Sequence, residues 1–155
     1  MKTPPDELPL EHYRQLMEDS PLPTVDIIFF DQQRSKTLLG RRTNEPYAGQ
    51  WYSFGGRLYK NEEFADAAVR IAKQEVGLSL TKADVKQAGV INEINPSSIF
   101  EGINYHAVNI YFACVIDERP LSLDAQHSEA KWIDAHDTTF HPYVRAKIEG
   151  ALRAL

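Results

Sequence analysis

Cysteine is nearly absent from this chain: Cys114 is the only one among 155 residues. No intrachain disulfide can form, and four-cysteine metal sites are excluded. That usage fits a reducing compartment. Long apolar runs are missing as well. The most apolar strand-like run, Ile27-Ile28-Phe29-Phe30, is far too short to cross a bilayer. Met1 to Ser20 is studded with charges (Lys2, Asp6, Glu7, Glu11, Arg14, Glu18, Asp19) and does not read as a secretory signal. The expected location is the cytoplasm, with no membrane association. A basic surplus is also lacking. The 17 basic residues face 22 acidic ones, a formal net charge of −5, so a nucleic-acid coat is not expected. An anionic ligand would need a local cluster of arginines or a metal ion.

What is present is ordinary for a globular protein, 43% hydrophobic and 25% charged. The length predicts one domain over 1–155, with 1–20 as an N-terminal helical extension. Leu10, Tyr13, Leu16 and Met17 have helical spacing, which predicts a short amphipathic helix from Pro9 to Asp19, ended by Pro21 and Pro23. Strands are expected over Thr24–Phe30, Thr37–Arg41, Trp51–Phe54, Val85–Ile94, Tyr105–Ile116 and Lys131–Ile133. Phe64, Ala68, Ile71 and Ala72 form one apolar stripe on a helix that Gly77 would cap. A last amphipathic helix carries Tyr143, Val144, Ile148, Ala151, Leu152 and Leu155. The order predicts an α/β/α sandwich with a mixed β-sheet between helices.

The chemistry concentrates between Gly56 and Leu78. A glycine turn leads into a helix whose last turn holds Glu75, which lies four residues from Ile71, seven from Ala68 and eleven from Phe64. Those offsets put a carboxylate on the apolar face. Such a group is costly unless a cation or several donors meet it. A divalent metal is one partner; Arg70 or another arginine is the other.

Gly56, Glu62, Arg70 and Glu75-Val76-Gly77-Leu78 stand at the spacing of the Nudix box, and the element order is similar to that family's α/β/α sandwich. The box here departs from its usual form. Ile71 stands where a glutamate usually follows the arginine, and Gln74 where the first of two adjacent glutamates is usual. Only Glu75 remains of three carboxylates that usually gather metal. Isoleucine cannot ligate a metal, and a neutral amide oxygen is a weak ligand for Mg²⁺.

One branch, the GDP-mannose mannosyl hydrolases, resembles this pattern further. Leu38-Leu39-Gly40-Arg41-Arg42-Thr43-Asn44, Gly49-Gln50-Trp51, Gly55-Gly56-Arg57, Asp124-Ala125-Gln126-His127 and Thr24-Val25-Asp26 are all similar to its segments. The resemblance implies one Mg²⁺, with Mn²⁺ as an alternative, held by Glu75, a Gly55 carbonyl and Gln126. It implies His127 as general base, Arg42 and Arg57 on the departing diphosphate, Asp26 on the substrate, and Arg70 bracing the box helix. It also implies a homodimer acting on a small nucleotide sugar, GDP-mannose or GDP-glucose. Water would attack the sugar's C1 with inversion, releasing GDP. A neutral histidine has a suitable intrinsic pKa for that proton transfer near pH 7, and the geometry is related to inverting glycoside hydrolysis.

Without the resemblance, His127 reads as a solvated loop residue, Trp51 as core packing, His106 as structural or near the sugar, and Cys114 as a buried hydrophobe. Arg41 and Arg42 alternate along a strand, so one should point in and one out. Three positions differ from the branch: Glu93 aligns with a histidine, Ala107 stands where a tyrosine is usual with Tyr105 and His106 before it, and the loop Asn95–Asn104 is dissimilar. Two alternatives stand beside carbon attack: a diphosphatase acting at phosphorus, or a non-catalytic nucleotide-binding module. The amphipathic N-terminal helix is free to pack on a second subunit.

Overall fold

The computed structural model describes residues 8–117, 121–122 and 127–155. Helix α1 (Leu10–Asp19) precedes strands β1 (Leu22–Phe30), β2 (Lys36–Arg42), β3 (Trp51–Tyr52) and β4 (Phe54–Arg57). Helix α2 (Phe64–Val76) is followed by a 3₁₀ turn, β5 (Lys86–Asn95), β6 (Tyr105–Val115), β7 (His127–Asp134) and helix α3 (Pro142–Ala154). The seven strands make one mixed sheet, with α2 and α3 on opposite faces. None of the described helices is long and apolar enough to cross a membrane.

Strand β1 organises the sheet. Along one edge it pairs in parallel with β6 over all nine of its residues. Its other edge is shared: Thr24–Ile27 pair with β4, whereas Phe29 and Phe30 pair with β2. β2 diverges to pair with β7 and β3, and β4 enters beside β1 in its place. The segment predicted as one strand, Trp51–Phe54, is therefore two short ones that change partner at Ser53. Period-2 alternation sends Val25, Ile27 and Phe29 into the core under α2, and Ile28 and Phe30 into the core under α3. Asp26 shares the α3 face.

The α2 stripe is as expected. Ala68, Ile71, Ala72 and Glu75 are all buried, though Phe64, at the helix start, stays 40% exposed. Gly77 caps the helix at φ 73, with Leu78 N–H donating back to Ala72 O at 3.1 Å. β7 is longer than its predicted core, Lys131–Ile133, because β2 pairs with it from Lys36 to Arg42. Pro23 lies inside β1 and not before it. Helix α1 packs on its own chain: Met17 is buried with Leu22 and Ile103, beside Tyr13, Phe100 and Tyr105.

Helix α3 approaches the sheet closely through Gly150. A Cβ there would lie 2.0 Å from the Tyr111 hydroxyl, and one at Gly89 would lie 2.5 Å from it. Alanine in a helix ordinarily gains up to about 1 kcal/mol over glycine. Here Gly150→Ala is expected to destabilise by about 1–3 kcal/mol through overpacking, and Tyr111→Phe should recover part of the loss. Urea unfolding of the two single variants and the double variant measures it.

Candidate active site

Where β2 and β4 part company, a cavity of about 410 Å³ opens between α1, the β2–β3 loop, the β4 turn and α2. Five of the residues expected to act there do line it: Asp26, Arg42, Gly55, Arg57 and Glu75. They come from three strands and one helix, and only the strand crossing brings them together.

Gly55 is the junction. It stands opposite Asp26 in the β1–β4 pairing, and its amide donates to Glu75 Oε1 at 2.7 Å. A Cβ on Gly55 would fall 1.8 Å from Asp26 Oδ1, so only glycine lets the aspartate occupy this place. The carboxylate that α2 buries on its apolar face is thus met by a backbone donor from β4. The two box departures add no charge for a metal: Ile71 is buried, and the Gln74 amide oxygen accepts from Arg70 Nη1 at 2.9 Å.

Arg70 is a brace. Its guanidinium holds Glu62 through Nε at 2.7 Å and Nη2 at 3.0 Å, donates to Arg57 O at 3.0 Å, and stacks 3.6 Å over the Tyr59 ring. Burial works against the Glu62 charge, but the hydrogen bonds from Arg70 and the Tyr59 amide, together with the charges of Arg70 and Arg57, outweigh it and hold the carboxyl below its ordinary value. This bidentate clamp ties the turn after Arg57 to α2.

Arg42 turns into the cavity at a shift of register between Arg41 and Arg42. Its Nε donates to Pro46 O at 2.8 Å, while Arg41 points outward to Glu129 at 3.4 Å. Arg57 lies 5.0 Å from the Tyr59 ring centroid. His127 is placed differently. It begins β7 opposite Arg42, is 4% exposed, and its ring packs 4.7 Å from that of Phe54 instead of lining the cavity. Gln126 lies outside the described residues. His106 contacts Asn92 Oδ1 at 3.2 Å on the sheet surface, Trp51 packs partly buried against the α3-side core, and Cys114 is buried in the α2-side core.

The sequence reading missed Lys147, the cation beneath the cavity floor. Lys147 of α3 is wholly buried, and its Nζ bridges Asp26 Oδ2 at 2.6 Å and Glu93 Oε1 at 2.5 Å. Asp26 also accepts from Ser53 Oγ and, at 2.8 Å, from Asn109 Nδ2. One ammonium serves two carboxylates. Burial opposes the Lys147 charge, but Asp26 and Glu93 together raise its pKa above the ordinary lysine value. Burial pushes the Glu93 carboxyl up; Lys147 opposes that, and the neighbouring Asp26 charge adds to it. Removing one member of such a set leaves a buried charge unpaired, at a cost of about 3–5 kcal/mol. The signal was in the sequence. Lys147 lies four residues from Tyr143 and from Ala151 and three from Val144, on the apolar face of its helix.

Among the described residues no three His, Cys, Asp or Glu side chains converge as a metal cage. A hard divalent cation does not need one, because Mg²⁺ is commonly held by one or two carboxylates, with waters and substrate phosphates completing its shell. A buried Glu75 beside Gly55, flanked by two arginines suited to phosphate, fits that mode of binding.

Residues 20–154 match the family profile of the NUDIX domain. The low-salt glycan biosynthesis protein Agl8 of Haloferax volcanii is 31% identical over 147 residues, 94% of this chain and 92% of that protein. The MutT NUDIX hydrolase of Burkholderia pseudomallei superposes with a TM-score of 0.70 at 19% identity, covering 85% of this chain and 98% of that one. The NUDIX domain of Shewanella oneidensis NrtR, solved with ADP ribose, gives a TM-score of 0.69 at 18% identity, covering 94% of this chain and 98% of that one. The two structures share the fold; the profile and the Agl8 identity go further, and this chain belongs to the Nudix hydrolase family, whose members use divalent cations such as Mg²⁺ or Mn²⁺.

Proposed function

We propose that this protein hydrolyses a nucleotide sugar at the sugar's C1, with GDP-mannose or GDP-glucose as substrate and GDP and free sugar as products. One observation carries the reading. Arg42 and Arg57 line the same cavity as a single box carboxylate, Glu75, while Ile71 and the engaged Gln74 supply no further anionic ligand. Such a site is poorly equipped to generate hydroxide beside phosphorus. It is well equipped to accept a diphosphate as leaving group. The similarity to a glycan biosynthesis protein supports a sugar substrate.

In this reading Arg42 and Arg57 bind the diphosphate and neutralise the charge that develops as the C1–O bond breaks. Glu75 and the Gly55 carbonyl, with Gln126, would hold Mg²⁺, which when bound adds positive charge on the diphosphate. The resemblance assigns the proton of the attacking water to His127, which pairs with Arg42 in the sheet and whose ring, buried against Phe54, would have to turn toward the cavity to take it. Water enters opposite the diphosphate, so the anomeric configuration inverts. Asp26 and the floor beneath it orient the sugar.

Hydrolysis in ¹⁸O-water tests the bond that breaks. The label should enter the free sugar at C1 and leave GDP unlabelled, and proton NMR of fresh product should show the anomer opposite to the substrate's. Label in a nucleoside monophosphate or a sugar phosphate would move the attack to phosphorus. Absence of turnover across a panel of nucleotide sugars would leave a binding module.

Glu75→Gln is expected to nearly abolish activity and to raise the Mg²⁺ concentration needed for half-activity; wild-type turnover at ordinary Mg²⁺ would remove Glu75 from the metal site. His127→Ala should lower kcat by about 10²–10⁴-fold, the usual size of a general-base contribution. A smaller effect would assign the base elsewhere.

Arg42→Ala and Arg57→Ala should each lose about 2–4 kcal/mol of transition-state stabilisation, as when a preorganised oxyanion donor is deleted. Steady-state kinetics should place that loss in kcat. A change confined to KM would make them ground-state binding groups.

A further inference from the structure

We propose that Glu93 is the residue that recognises the sugar, and that Lys147 is a positioning residue that holds the Glu93 carboxylate on the cavity floor. The proposal rests on the nucleotide-sugar reading and assigns its specificity to the floor.

The cavity is chemically two-sided. Tyr13, on the α1 wall, feels the charges of Arg57 and Arg42. Tyr47, Tyr52 and Tyr105 instead feel Glu93 and Asp26. A diphosphate belongs on the first side. The second side suits an uncharged group that offers hydroxyl donors.

The two floor carboxylates are not equivalent. Asp26 Oδ1 accepts from Asn109, and its Oδ2 accepts from both Ser53 and Lys147. Most of its acceptor capacity is used within the protein. Glu93 has one such bond, from Lys147 to Oε1. Directly across the sheet from Glu93 stands Ala107, whose methyl group cannot compete for the other oxygen.

A second observation points to a ligand at this spot. Tyr47 and Tyr52 both contribute to the cavity wall, and their buried hydroxyls lie close to each other but make no well-formed hydrogen bond in the protein. The Tyr52 hydroxyl lies beside Glu93 without meeting hydrogen-bond geometry. The rings stack 4.2 Å apart, so the two phenols are held as a pair. Buried polar groups normally have partners. A carboxylate acceptor beside two phenols, each able to donate or accept, matches neighbouring hydroxyls on a hexose ring. Lys147, reaching down from α3, is what keeps a carboxylate in so buried a position.

The test separates sugar recognition from nucleotide recognition. Kinetics with GDP-mannose and GDP-glucose, inhibition by GDP, and thermal shift by each compound are measured for wild type, Glu93→Gln, Lys147→Met and the double variant. Glu93→Gln should lower kcat/KM for the GDP-hexoses by about 10- to 100-fold, the size expected for a lost charged hydrogen bond. Its inhibition constant for GDP should stay within about 2-fold of wild type, because that ligand lacks the hexose. Equal losses for GDP and GDP-hexose would make Glu93 a nucleotide-binding residue and overturn the proposal, as would no loss for either.

Lys147→Met leaves two buried carboxylates without their cation and is expected to lower the melting temperature. Lys147→Met with Glu93→Gln removes one charge of each sign and should recover part of that stability. If Lys147 acts through Glu93, the double variant discriminates GDP-hexose from GDP as poorly as Glu93→Gln alone. Additive losses would give Lys147 a separate role and overturn its assignment. A wild type that neither cleaves nor binds any GDP-hexose would reject the nucleotide-sugar reading and this proposal together. Normal wild-type turnover with unchanged discrimination in Glu93→Gln would reject this proposal alone.

Discussion

Asp26 and Gly55 face each other across two antiparallel strands, and the arrangement of the cavity follows from that contact. The missing side chain of Gly55 is the space that the Asp26 carboxylate fills, and the Gly55 amide anchors Glu75 on the other side of the strand. One residue without a Cβ thus joins the α2 face of the sheet to the α3 face. Any side chain there would drive Asp26 off its three partners and shift β4 against α2. Because β1 gives half of one edge to β4 and only two residues to β2, the contact also lies where the sheet opens.

Placing charges in such a position is expensive, and the chain does so twice by the same device. Glu75 and Lys147 each stand on the apolar face of a helix, and each meets its partners across a layer interface. Glu75 meets a backbone amide. Lys147 meets two carboxylates. A hydrophobic residue of similar volume is often as stable as a buried ion pair, or more so. Stability alone therefore gives no reason to keep these groups, whereas a cavity that must take a polar ligand does. Arg70 serves the rim in the same spirit, spending its donors on Glu62, Gln74 and the Arg57 carbonyl so that the turn carrying Arg57 is rigid.

The Nudix assignment sets the scaffold and the general chemistry, a hydrolase site at the end of the box helix. The reduced box shifts attention from the helix to the floor. With Ile71 and Gln74 contributing no charge, the buried acidic groups of the cavity are Glu75 beside Gly55 and the pair around Lys147. Two arginines on one side and two carboxylates sharing an ammonium on the other divide a single cavity into an anion half and a hydroxyl half.

Local spacing alone determined the box helix, its Gly77 cap and the burial of Glu75, because a 3.6-residue period states which side chains share a face whatever lies opposite. The glycine turn leading into that helix was equally legible, as was the inward turn of one arginine at Arg41-Arg42. Lys147 was legible in principle, by the same offsets that exposed Glu75, but an aliphatic lysine stem at a helix edge more often reaches solvent. Other features had no local signature. Trp51–Phe54 reads as one strand, and only its two partners divide it. β7 reads as three residues, and only β2 extends it. Tyr13 reads as one of four residues of an amphipathic stripe, and only the packing of α1 on its own chain makes it a cavity wall. The floor is the clearest case. Asp26, Glu93, Asn109 and Lys147 lie on three strands and a helix, up to 121 residues apart. Their meeting depends on strand order and helix docking, which are long-range consequences of burying two apolar faces at once.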